Sequence, residues 1–147
     1  MIRYRPLYIL HPLHQTHKAA YSLLAFILLN ALTALILLAR KGHEEAVAQL
    51  TRISRLMLYP AVFCLAAGIF IGAIWANQSW GRYWGWAPKE VWALITMLVY
   101  SIPMHSQSLT WLQRPRWFHL YMALAFLSIL MTYFGVNFFL GGMHSYA

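Results

Sequence analysis

Residues 80–92 read WGRYWGWAPKEVW, a thirteen-residue stretch with four tryptophans, two glycines, one proline, two cations and one acid. Its punctuation closes one apolar run and opens the next. Gly81 and Gly85 permit tight backbone. Pro88 followed by Glu90 reads as the first turn of a helix. Ala87 then occupies the capping place, where Asp, Asn, Ser or Thr would accept a first-turn N–H. Alanine there forfeits about 1 kcal/mol, so the helix start is weakened but not lost. The tryptophans supply flat apolar faces, each with a single N–H.

The chain around this segment has 147 residues, of which 61% are hydrophobic and 10% charged. Ordinary soluble domains carry about 25% charged residues, so the composition points to a bilayer. The net charge is +8, but the cations are scattered among short connections. That scatter suits membrane topology and not nucleic acid, which calls for a basic stripe. Cys64 is the only cysteine. An intramolecular disulfide, a CxxC redox pair and a CxxCH haem-attachment site are therefore excluded.

Four segments are apolar over the roughly 17–25 residues that a crossing needs: 19–39, 56–76, 88–107 and 118–140. The expected fold is an all-α integral membrane bundle of about four transmembrane helices, a single membrane domain over 1–147 with an external tryptophan-rich loop at 77–92. The third span is the shortest, just long enough at about 30 Å, and Pro103 kinks its end. Gly68 and Gly72 in the second span suggest close helix packing, and Asn30 and Asn137 suggest hydrogen bonds between helices.

Arg40, Lys41, Arg52 and Arg55 follow the first span, and Arg114 and Arg116 follow the third. The loop after the second has only Arg82 and Lys89, and the tail 141–147 has neither Lys nor Arg. The bias puts the first two loops in the cytoplasm and the tryptophan loop and C-terminal tail outside. Arg3, Arg5 and Lys18 count against this orientation, and residues 1–12 are neither a span nor a signal peptide. The expectation is a C-terminal part of something longer, or a chain that needs a partner to insert. Parity then brings His11, His14 and His17, the tryptophan segment and His144 to one face. His105 falls on the opposite face, or deeper in the bilayer.

An aromatic belt at the membrane interface is the plain explanation for tryptophans, and it serves for Trp75, Trp111 and Trp117. It does not account for the ordered Gly, Pro, Lys and Glu of residues 80–92. WGRYWGWAPKEVWALITMLVY resembles the tryptophan-rich WWD segment of the cytochrome c assembly family, the haem-handling proteins of the CcsA/ResC and CcmC/CcmF type. The ending TYFGVNFFLGGMHSYA resembles the C-terminus of the CcsA/ResC branch. The likeness covers nearly all of the chain after residue 17. One departure stands out: the family has Asp where this chain has Ala87.

The resemblance implies that Trp80, Trp84, Trp86 and Trp92 form a face for haem b, carried as a substrate. It implies two outer histidines that clamp the iron as axial ligands. His144 in GGMHSYA matches the second. The first is His17 by its spacing from Pro12, or His14 by its spacing from Ala20 and Tyr21. His105 resembles the family's in-membrane histidine. Arg82 and Lys89 are candidates for the haem propionates, against ordinary interfacial snorkelling. A zinc or copper site on the His-x-x-His spacing of His14 and His17 is a weaker alternative, lacking a nearby carboxylate or thiolate. His43 and His119 read as non-ligands.

The function implied is haem handling in cytochrome c maturation: binding haem at the outer face of the bacterial inner membrane and presenting it to the CxxCH of apocytochrome c. A ResB/Ccs1-type membrane partner is implied as well. Whether the chain takes part in a haem lyase or synthase stays open, and it is not expected to be active alone. The alternatives are a non-catalytic haem-binding or scaffold subunit, a truncated remnant of the family, and a bis-His electron carrier, whose ligands would come from facing helices.

Overall fold

The structure, a computed structural model, describes residues 7–40 and 42–135, with side chains from residue 15 onward. Its regular structure is helical, with no strand among the described residues. In chain order the elements are α1 (Leu7–Ala39), α2 (Glu44–Trp80), α3 (Pro88–Ser101), a 3₁₀ turn (Ile102–His105), α4 (Thr110–Gln113), α5 (Pro115–Leu130) and a π-helical segment (Met131–Gly135).

Among the described residues three helices are long and apolar enough to cross a membrane: Gln15–Ala39, Glu44–Trp80 and Pro115–Gly135. The bundle is an integral membrane fold, but the expected third span differs from the other three. Helix α3 has 14 residues, about 21 Å at 1.5 Å per residue, against a hydrocarbon core of about 30 Å. Pro103 ends it. A proline there has no N–H for the carbonyl of Val99 four residues back. The Tyr121 hydroxyl of α5 donates to that carbonyl instead, at 2.7 Å. The chain continues as the 3₁₀ turn, which carries it to the far end of the bundle.

The helix boundaries also shift. Helix α2 begins at Glu44, so most of the expected loop 40–55 is helix; Gly42, at φ +93°, turns the chain between α1 and α2. At its other end α2 runs through Trp80, so the connection to α3 is only 81–87. Gly81 closes α2 in the left-handed conformation, φ +71°, with its N–H donating to the carbonyl of Asn77 at 2.8 Å. A non-glycine residue adopts that conformation only at a cost.

Helices α1 and α2 meet along a seam with a 3.5-residue repeat. Helix α1 buries Ala20, Leu24, Ile27, Ala31 and Ala34, and α2 buries Val47, Thr51, Ser54, Leu58, Ala61, Leu65 and Gly68. Steps of four and three keep one stripe facing the partner helix. Many of these residues are small, which is how helices approach closely where lipid supplies no hydrophobic drive. Large side chains such as Phe63 and Phe70 face outward instead. Phe118, Met122, Ala125 and Ile129 of α5 and Tyr100 of α3 complete the core.

The arginine end of the bundle is fastened by polar contacts. Arg55 donates through Nη2 to the carbonyls of Leu112 (3.1 Å) and Gln113 (3.4 Å), with its guanidinium 5.1 Å from the Phe118 ring centre. His119 is fully buried, with Nε2 2.8 Å from the Thr51 hydroxyl. That hydroxyl donates its one proton to the Val47 carbonyl at 2.7 Å, so Nε2–H of His119 is the donor to Thr51. Asn30 is buried as well, but its amide nitrogen finds no partner among the described residues. Asn137 lies outside the described residues.

Candidate functional site

At the opposite end, the α1–α2 seam opens into a cavity of ≈ 620 Å³. This falls within the roughly 300–1,000 Å³ usual for cofactor and small-molecule sites. Four elements contribute to its walls. Helix α1 supplies His17 and Tyr21, and α2 supplies Gly68, Gly72, Trp75 and Trp80. Tyr83, Trp84, Ala87, Lys89 and Glu90 come from the connection and the start of α3, and Thr132 and Tyr133 from the π-helical segment.

His17 lies three residues before Ala20, so it continues the α1 seam by one more step. Its ring sits over Gly68, the last seam position of α2. A Cβ placed on Gly68 would be 3.0 Å from Cε1, 3.2 Å from Nδ1 and 3.6 Å from Nε2 of the imidazole. Tyr21, one turn further along α1, stacks on the imidazole with centroids 6.1 Å apart and planes 15° apart. Tyr133 in turn meets Tyr21 edge-on at 6.3 Å. The histidine therefore belongs to a regular helix, not to a loop before the span.

The tryptophans divide by role. Trp75 and Trp80 pack edge to face at 4.8 Å, and both line the cavity. Trp75, read from sequence as an interfacial residue, thus stands in the wall, and its indole nitrogen is buried with no hydrogen-bond partner among the described residues. Trp84 lines the cavity too and meets Trp86 edge-on at 6.1 Å. Trp86 itself lies outside the walls, 76% exposed, with φ +56°. That left-handed backbone costs a non-glycine residue of order 1–2 kcal/mol. Trp92 sits on α3 outside the cavity walls, its carbonyl 3.3 Å from the Thr132 hydroxyl, whose proton goes to the Ser128 carbonyl at 2.7 Å. Thr132 also bonds the Thr96 hydroxyl at 3.0 Å, tying α3 to the π-helical segment.

The start of α3 is held from within. The Glu90 carboxylate accepts from the Gly85 N–H at 2.8 Å and from the Ala87 N–H at 3.2 Å. Ala87 is the N-cap with no side-chain acceptor of its own, so Glu90 ties the connection to the helix. Gly85 is not left-handed; its bare Cα makes room for the Arg82 guanidinium, which a Cβ would meet at 3.2–3.4 Å. Arg82 therefore folds onto its own loop, and Lys89 is the cation in the cavity wall.

Of the residues expected at a site, the fold brings His17, Trp80, Trp84 and Lys89 together. Trp86, Trp92 and Arg82 lie beside the cavity and not in its wall. His105 is exposed at the far end of α3, its ring nitrogen Nδ1 3.1 Å from the Ser101 carbonyl. His144 lies outside the described residues, as does the side chain of His14. Tyr21, Gly68, Trp75 and Tyr133 are cavity residues that the sequence reading did not single out for a ligand. Gly68 and Trp75 had visible but misleading signals, a small-residue spacing and an interfacial tryptophan. Among the described residues no three His, Cys, Asp or Glu side chains gather; Tyr21 and the bare backbone of Gly68 are among the neighbours of His17.

Comparison with known proteins bears on this arrangement directly. The family model described as Cytochrome C assembly protein matches residues 3–144. Protein NrfI of Wolinella succinogenes is 44% identical over 119 residues, covering 78% of this chain and 13% of that protein. The cytochrome c biogenesis protein CcsA of Guillardia theta is 46% identical over 84 residues, covering 56% of the chain and 27% of that protein. CcsA of Gloeobacter violaceus is 44% identical over 82 residues, with 56% and 24% covered. The chain spans well under a third of the length of each of these relatives. With the match running over nearly its whole length, the chain belongs to the cytochrome c assembly protein family.

Proposed function

We propose that this chain works in cytochrome c maturation by binding haem b as a substrate in the cavity between α1, α2 and α3, and by presenting it to apocytochrome c. The observation that carries the reading is the placement of the His17 imidazole in the wall of a ≈ 620 Å³ cavity with Trp75, Trp80, Trp84 and Lys89. Imidazole is a strong iron ligand. Indole faces suit a flat macrocycle, and a lysine at the edge suits its propionates. The orphaned Trp75 N–H is a further donor in the wall, and its burial without a partner is costly unless something accepts from it.

In this reading His17 is one axial ligand and His144 the second, with His14 the alternative to His17 and His105 part of a separate inner position. Trp86, exposed beside Trp84, extends the aromatic face beyond the wall, and Trp92 and Arg82 support the segment. The tryptophan end faces outward from the bacterial inner membrane, as the arginine distribution favours. Attachment to a CxxCH motif needs thiols that the apocytochrome supplies, and a ResB/Ccs1-type membrane protein is the partner. The domain assignment, one membrane unit over 1–147 resembling the C-terminal part of a longer assembly protein, belongs to this proposal.

A second reading has one observation in its favour. Ala87 leaves the N-cap without an acceptor where the family has Asp, which fits a scaffold or haem-holding subunit that presents nothing for attachment. The experiment is the absorption spectrum of the purified protein with its bound haem, compared with His17→Ala and His144→Ala. Loss of the imidazole-ligated spectrum in each variant is the expected result. A wild type without haem, or two variants that keep the full spectrum, removes the ligand assignment.

A further inference from the structure

We propose that Gly68 is the positioning residue of this site, a seat in α2 that fixes where the His17 imidazole stands in the cavity wall. The inference rests on His17 being the iron ligand. It does not follow from the small-residue spacing of Gly68 and Gly72, which by itself indicates only close helix packing.

The three atoms nearest to a Cβ built on Gly68 all belong to the His17 ring: Cε1 at 3.0 Å, Nδ1 at 3.2 Å and Nε2 at 3.6 Å. They are the ring edge that carries both nitrogens. A methyl group there forces the imidazole to give by a few tenths of an ångström. Two features limit how it can give. His17 is part of the continuous helix α1 and continues its buried seam. The face of the ring is stacked against Tyr21, and Tyr21 is held edge-on by Tyr133. The imidazole meets bare backbone at its edge and an aromatic pair on its face, so an added methyl shifts it from this seat. A ligand that must meet iron along one direction tolerates such displacement poorly. Alanine at position 68 therefore leaves the helices and the cavity in place while spoiling the alignment of the ligand.

The test is a hemin titration of the purified chain in detergent, read by its visible spectrum, for wild type, His17→Gly, Gly68→Ala and the double variant, with and without free imidazole. Gly68→Ala is expected to bind hemin roughly 10–100-fold more weakly, the range for groups that orient a metal-binding histidine. Added imidazole is expected to restore the ligated spectrum to His17→Gly and equally to the double variant, since both lack the ring and keep the cavity. If His17→Gly loses ligation but Gly68→Ala matches wild type, the seat is refuted and the ligand reading stands. If His17→Gly keeps the wild-type spectrum, or wild type takes up no hemin, the ligand reading falls and the seat with it. A double variant that imidazole does not rescue while His17→Gly is rescued shows that the methyl disrupts helix packing, which also refutes the inference. Should Gly68→Ala fail to assemble, the double variant decides. With the ring gone the nearest obstacle is gone, so the double variant must assemble and take up hemin with imidazole; its failure overturns the proposal.

Discussion

Replacing Glu90 by alanine should free the tryptophan connection from α3. One carboxylate oxygen accepts from Gly85 N–H at 2.8 Å and from Ala87 N–H at 3.2 Å, and Ala87 has no side chain to replace it. A hydrogen bond to a charged group contributes about 1.5–3 kcal/mol. Glu90 is only half-buried and the second bond is long, so the pair together is worth about 2–3 kcal/mol by the lower end of that range. At about 1.4 kcal/mol per factor of ten, the closed state of the connection loses roughly 30- to 150-fold in population against the open one. Amide hydrogen exchange reads this directly at Gly85 and Ala87, whose N–H groups lose their acceptor. Their exchange should quicken by that factor in Glu90→Ala, while amides in the middle of α3 keep the wild-type rate. Glu90→Gln retains an acceptor without the charge and should fall between, at roughly tenfold. Exchange at Gly85 and Ala87 within twofold of wild type in Glu90→Ala would refute the view that this carboxylate fastens the segment.

Thr51→Val removes the acceptor for the buried Nε2–H of His119 and should destabilise the bundle by about 1–2 kcal/mol in detergent unfolding, with Thr51→Ser restoring most of it. Tyr121→Phe leaves the Val99 carbonyl without the donor that Pro103 cannot supply; the same assay should register a loss of about 1 kcal/mol. Gly81→Ala meets no steric obstacle but must hold φ +71°. It should cost about 1 kcal/mol, seen as several-fold faster exchange of the residue-81 amide bonded to Asn77. Ala87→Asp adds the missing cap and should stabilise the start of α3 by about 1 kcal/mol less the repulsion from Glu90, with a higher haem occupancy of the purified protein; unchanged occupancy would argue that the absent acid is irrelevant to loading.

What could be read locally was read well. Pro88 and Glu90 mark the start of α3 because a helix start is a matter of four adjacent residues. The apolar runs mark the spans because length and hydropathy are properties of contiguous sequence. Arg55 and the connection that carries Arg114 meet at one end of the bundle, where Arg55 reaches the carbonyls of Leu112 and Gln113. Boundaries were read less well. Residues 44–55 are polar enough to look like a loop, yet they extend α2, whose buried stripe already includes Val47, Thr51 and Ser54. The third span looked complete from Pro88 to Gln107 until Pro103 ended its α-helical part at Ser101.

The sequence by itself determined an all-helical membrane chain, the punctuation at 80–92 and the family. These follow from composition, spacing and motif, none of which depends on which helix lies beside which. Only the tertiary structure decided that Gly68 carries an imidazole and not merely a neighbouring helix. Only it decided that Trp75 belongs to the cavity wall while Trp86 stands outside it, and that Lys89 reaches the wall while Arg82 folds onto Gly85. Each of these turns on a contact or a direction set by packing. His17 and Gly68 are 51 positions apart in the chain and meet because two stripes of 3.5-residue period run antiparallel. Tryptophan is equally at home in lipid headgroups, in a cavity wall or at its rim, and its place is chosen by the helix that carries it.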